Sequence, residues 1–157
     1  MVTDACRTSH SQQLTLSFTE AETNEQASEF LSRLTLPEDI PLEVESIRID
    51  FRADNIAAAE AESLIYGNFK ATIKATAYVS IKNGRPDVEL TKVSFGIIPL
   101  PKAARDKIIG LVPQKIEALL NYLTETEAEC QGKVNLEFTA ITINENSVTI
   151  SVIASPK

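Results

Sequence analysis

From Phe69 to Ile81 the chain alternates apolar and polar residues without a break, and Asn83-Gly84 follows almost at once. Phe69, Ala71, Ile73, Ala75, Ala77, Val79 and Ile81 fall on one face, with Lys70, Thr72, Lys74, Thr76, Tyr78 and Ser80 on the other. A period of two held over that length dictates a long strand with one buried and one wet face. Asn-Gly suits a two-residue type I′ hairpin, because both of its residues tolerate positive φ. Such a turn sets Val79 opposite Val88 and Ala77 opposite Leu90. The register then fails at Lys92. One extra residue at Thr91-Lys92, a β-bulge, restores it by pairing Ala75 with Val93, Ile73 with Phe95 and Ala71 with Ile97. Pro86 falls opposite Ile81 in a non-hydrogen-bonded pair, where its missing N–H costs that partner nothing.

The remaining elements follow from the same kind of pattern. Leu14 to Phe18 alternates as a short strand, and Thr19 with Glu22 forms a capping box, so a helix is expected to start at Glu20. Ala27, Phe30, Leu31 and Leu34 make its apolar stripe, closed off by Pro37 and Pro41. Leu42 to Phe51 reads as a strand with a slip near Glu45 and Ser46. Residues 56–65 set propensity against context. Ala57 to Glu62 favours a helix, whereas turn chemistry at Asp54-Asn55 and Tyr66-Gly67-Asn68 favours a strand. The strand is preferred, with a two-residue loop at Ala53 and Asp54 placing Phe51 opposite Ile56.

Beyond Pro101, a plausible first helical residue, the spacing turns helical, with Ile108, Val112, Ile116, Leu119, Leu120 and Leu123 on one face. Gly110 and Pro113 interrupt it, which predicts a kink, or a break with Pro113 opening a second helix. An acidic, polar loop is expected from Thr124 to Gly132. A last hairpin carries Val134, Leu136, Phe138, Ile141 and Ile143, then Val148, Ile150 and Val152. The expected organisation is α+β: a flexible tail over 1–13, then a single domain over 14–157 made of antiparallel hairpins and two helical segments.

Composition limits the function classes. At 157 residues the chain can bury one adequate core without metal or disulfide support. No apolar run approaches the roughly 20 residues of a membrane-spanning helix. A net charge of −7 repels nucleic acid and anionic bilayers, so neither is held by bulk electrostatics. Cys6, Cys130 and His10 make three Cys or His ligands in all, one short of the four of a closed structural zinc site, and no metal or other cofactor is expected. The cysteines are either two unrelated thiols or one bridge tying the tail to the loop before the last hairpin. His10 sits in a polar tail without an acid–base partner, and Asp50, Asp54 and Asp87 fall on turns or outward strand positions, so no catalytic residue is expected. Met1 to Gln13 shows no signal-peptide pattern, which leaves a cytoplasmic protein or one exported by a segment upstream.

Two motifs bring a family into view: Thr19-Glu20-Ala21-Glu22-Thr23-Asn24 at the first helix, and Val93-Ser94-Phe95-Gly96-Ile97-Ile98-Pro99-Leu100-Pro101 between the long hairpin and the second. In these motifs, and in element order from about Leu14 to Ala154, the chain resembles the LmeA/YpmS-like bacterial envelope proteins. The resemblance implies a curved antiparallel sheet wrapping the helices, a half-barrel related to tubular lipid-binding (TULIP-like) domains. It also implies an extracytoplasmic, membrane-anchored or envelope location and an apolar ligand such as a lipid. A curved apolar sheet face closed by an apolar helix leaves a groove for acyl chains where its residues are small. The expected walls are Ile73, Ala75, Ala77, Val79, Phe95 and Ile97 on the sheet, facing Ile108, Val112, Ile116 and Leu119. Lys102, Arg105 and Lys107, with Lys115 further on, make this helix locally basic; they are candidates for lipid head groups and peripheral membrane contact, or an ordinary solvated face shared with Asp106 and Glu117. The alternative function is a structural or protein-interaction module of the envelope with a fully packed core.

Overall fold

The computed structural model describes residues 11–96, 101–128 and 134–156. The elements in chain order are β1 (Gln12–Thr19), α1 (Glu20–Leu31), β2 (Leu42–Arg52), β3 (Ile56–Ile65), β4 (Phe69–Lys82), β5 (Arg85–Ser94), α2 (Lys102–Ala128), β6 (Val134–Ile143) and β7 (Ser147–Pro156). Every strand pairing is antiparallel, as expected for an α+β chain of hairpins. The strands form two sheets rather than one: a four-stranded meander β2-β3-β4-β5 and a three-stranded sheet β1-β7-β6. Gln12 and Gln13, expected in the tail, pair with Ala154 and Ile153 as part of β1. Cys6, His10 and Cys130 lie outside the described residues.

The β4–β5 hairpin follows its pattern closely. Asn83 and Gly84 take φ of 53° and 76°, and Val79 pairs with Val88 and Ile81 with Pro86. Thr91 is the extra residue, since Ala77 pairs with Leu90 and Thr76 with Lys92. Ala75 therefore meets Val93, but β5 ends at Ser94, so the expected pairing of Ile73 with Phe95 is not formed; Ile97 lies outside the described residues. In β2 the shift between Val44 and Ser46 makes Glu45 the bulge. Residues 56–65 are a strand. Its turn differs from the expected one: Arg52 pairs with Ile56 and Phe51 with Ala57, so the loop is Ala53-Asp54-Asn55. The added residue places Ala57, Ala59 and Ala61 on the face of Phe51, Ile49 and Ile47.

That third residue joins the two sheets. Asn55 has a φ of 62°, an αL conformation that Asn tolerates. Its side-chain amide donates to the carbonyls of Val79 (3.1 Å) and Ile141 (2.9 Å), while its Oδ1 accepts from the N–H of Ile143 (2.9 Å). Its backbone bonds Ile143 and Val79 as well. Gly84 adds another link by accepting from Phe138 N–H at 2.9 Å, and a Cβ there would meet Glu137 Cγ at 2.9 Å. Two hairpin turns thus satisfy the outer edge of β6 where a further strand would otherwise pair.

Helix α1 closes the edge of β2 by the same means. Thr19 caps the helix by accepting from Glu22 N–H at 3.1 Å. Asn24 then brackets Ile49, accepting from its N–H at 2.6 Å and donating to its carbonyl at 2.9 Å, and Glu20 accepts from Phe51 N–H at 3.0 Å. The helix ends at Leu31, so Leu34 lies in the connection to β2 rather than on the expected stripe.

Of the two outcomes expected at Pro113, a kink or a break, the break is not formed: helix α2 runs on through it, and it continues past Leu123 into the segment expected as a loop. A proline removes one intrahelical bond, here to the carbonyl of Ile109, which sits on the exposed side where water reaches it. Buried residues on both sides of Pro113, Ile108 before it and Leu119 after it, pack the helix against the sheets across the interruption. Thr124 is polar yet fully buried, because its hydroxyl donates to the Leu120 carbonyl at 2.8 Å.

Candidate functional site

The apolar core is divided along α2. The larger cluster joins Leu119, Leu120 and Leu123 to both sheets and to Ala27 of α1. A smaller one gathers Ile108 with Ile40 and Ile65, flanked by Leu111, Val112 and Phe95. Between them lies a partly open groove of about 130 Å³, walled by β2, β3, β4, α2 and the α1–β2 connection. Its floor is low for a reason visible in the register. Ala59 pairs with Ala75 and Ala61 with Ile73, so the central strands present methyl groups where larger side chains would reach the helix. A cavity of this size is close to the roughly 150 Å³ that accommodates a benzene molecule.

Of the expected walls, Ile73 and Ala75 on the sheet and Ile108, Val112, Ile116 and Leu119 on the helix line the groove together. Ala77 and Val79 do not. Both are 1% exposed and lie in packed structure towards the three-stranded sheet. Phe95 packs on the smaller cluster instead, and Ile97 lies outside the described residues. The sequence reading omitted Val44, Ile47 and Ile49 of β2, Ala59 and Ala61 of β3, and Phe30, Leu34 and Leu36 around the end of α1. For β2 the alternating pattern carried the signal. For the alanines it was hidden by their helix propensity, since only the turn length decides which of them face inward.

The basic residues of α2 separate into different roles. Lys102 and Arg105 are exposed near the start of the helix. Lys107 instead forms an ion pair with Asp39, which ties the α1–β2 connection to α2. The hydrogen bond from the Lys107 ammonium, aided by its charge, holds the Asp39 carboxyl below the usual aspartate range. A carboxyl with a depressed folded-state pKa contributes stability above its unfolded pKa, and that contribution is lost as pH falls through the lower folded value. An NMR titration of Asp39 is expected to show this depression and to lose it in Lys107→Met; an unshifted Asp39 in the parent would refute the pairing in solution.

Among the described residues, Lys115, half-buried, is the one ionisable residue that lines the groove. Among the described residues no group of three His, Cys, Asp or Glu side chains is placed to hold a metal ion, and no helix is long and apolar enough to cross a membrane. What this arrangement can do chemically is exclude water from a hydrocarbon segment along an almost wholly apolar wall to which Lys115 contributes its stem. No protein-family model and no curated protein matches the chain.

Proposed function

We propose that this domain binds a lipid or another apolar ligand in the groove beneath α2 and carries out no catalysis. The observation supporting this reading most directly is the division of the core, which leaves an almost wholly apolar, partly open gap of about 130 Å³ between two packed clusters. Protein interiors otherwise pack as densely as organic crystals. Each methylene taken into such a gap contributes about 0.8 kcal/mol, so even a short hydrocarbon segment has a driving force worth several kcal/mol before ordering costs.

In the same reading the four-stranded sheet with α2 across its inner face corresponds to a TULIP-like half-barrel. The domain then works outside the cytoplasmic membrane, and the exposed Lys102 and Arg105 make peripheral contact with head groups. These points rest on the resemblance to the LmeA/YpmS-like envelope proteins, and fractionation of the native host tests the location. Native mass spectrometry of protein purified without detergent, followed by lipid extraction and a fluorescent fatty-acid titration, tests the binding. Saturable uptake at one site is the expected result. No copurified lipid and no saturable uptake would defeat the proposal in favour of a packed interaction module.

A further inference from the structure

Helix α2 presents Ile108, Leu111, Val112, Ile116 and Leu119 to the groove, and Lys115 shares their stripe. Position 115 lies four residues after Leu111, three after Val112 and four before Leu119, so it faces the same way as they do. An apolar side chain is the ordinary occupant of such a position. Lysine there is half-buried, and among the described residues no carboxylate forms an ion pair with it. Its alkyl stem lies naturally along apolar surface and leaves the ammonium at the boundary with water. Lys107, by contrast, is already neutralised by Asp39.

We infer that the groove selects a single-chain amphiphile with an anionic head, a fatty carboxylate, and that Lys115 is the residue that receives the head group. The inference rests on the binding function proposed above and specifies the ligand class for the same groove. Volume argues for a single chain, because about 130 Å³ is well below the roughly 300–1,000 Å³ of pockets that enclose larger ligands. Charge argues for the carboxylate, because the stem of Lys115 runs along the wall and Lys115 is, among the described residues, the one ionisable side chain that lines it, which leaves its ammonium at the groove's boundary with water to meet a head group there.

Calorimetric titration with decanoate and with decanol at pH 8 separates the contribution of the tail from that of the head. The parent protein is expected to bind decanoate about tenfold more tightly than decanol, the scale of one partly solvated charge-assisted hydrogen bond. In Lys115→Met, a substitution suited to an apolar stripe, the ratio between the two affinities falls to about one; in Lys115→Arg the preference persists. Equal affinities in the parent, or a preference that survives in Lys115→Met, would overturn the head-group role and leave the apolar groove standing. Saturable binding of neither ligand would overturn the groove itself, and this inference with it.

Discussion

Replacing Asn55 by alanine is expected to destabilise the protein by about 3 kcal/mol, a large fraction of the stability of a domain this size. The side chain makes three hydrogen bonds that cross between β4 and β6, to the carbonyls of Val79 and Ile141 and from the N–H of Ile143. Ile143 is almost fully buried at 2% exposure, so water is poorly placed to replace the lost acceptor. An unsatisfied buried group of this kind costs about 1–3 kcal/mol. Alanine also has to adopt the αL conformation at φ 62°, which adds about 1 kcal/mol. Asn55→Gly separates the two causes, because glycine accepts the backbone geometry but supplies no amide. Urea unfolding should therefore rank the parent above Asn55→Gly and that above Asn55→Ala. A loss below about 1 kcal/mol for the alanine variant would show that the Asn55 side chain does not hold the sheets together.

The contrast between what the residues announced and what they concealed has a simple physical basis. Alternation and turn chemistry act locally, so β4, the Asn83-Gly84 turn and the Thr91 bulge were readable from spacing, and the slip at Glu45 marked the bulge in β2. Thr19 and Glu22 located the start of α1 for the same reason. The roles of Asn24 and Asn55 were not readable, because each bonds backbone groups that are distant in sequence, and a polar side chain in a turn or helix carries no mark of a remote partner. The joining of the two sheets at Asn55 was concealed with them. Pro113 interrupts the pattern without ending the helix: its local cost of about 3 kcal/mol is outweighed by the packed face on each side of it. The helical side of the groove came directly from the stripe on α2. On the sheet side, one residue in the Ala53–Asn55 turn decided which β3 alanines face inward, and alternation along β4 gave the inward face but not where along it the groove ends, short of Ala77 and Val79.

Phenylalanine placed at Ala75 should abolish ligand uptake, weakening binding at least about a hundredfold, with no loss of stability. The ring is the size of the benzene that a cavity of roughly 150 Å³ accepts, and it enters a groove of about 130 Å³ from the floor. It would occupy the space proposed for the hydrocarbon chain and bury apolar surface worth up to about 1.5–3 kcal/mol. Ala77 provides the internal control. It lies on the same strand and the same face two residues away, but it is 1% exposed and outside the groove wall. Ala77→Phe has to force a ring into packed structure, which costs about 1–3 kcal/mol and often more. Urea unfolding and fatty-acid titration of the two variants are therefore expected to diverge: Ala75→Phe stays as stable as the parent or more so and does not bind, whereas Ala77→Phe is weakened. If both variants lose stability equally, the space under α2 is closed in solution, and the interaction-module alternative gains what the binding function loses.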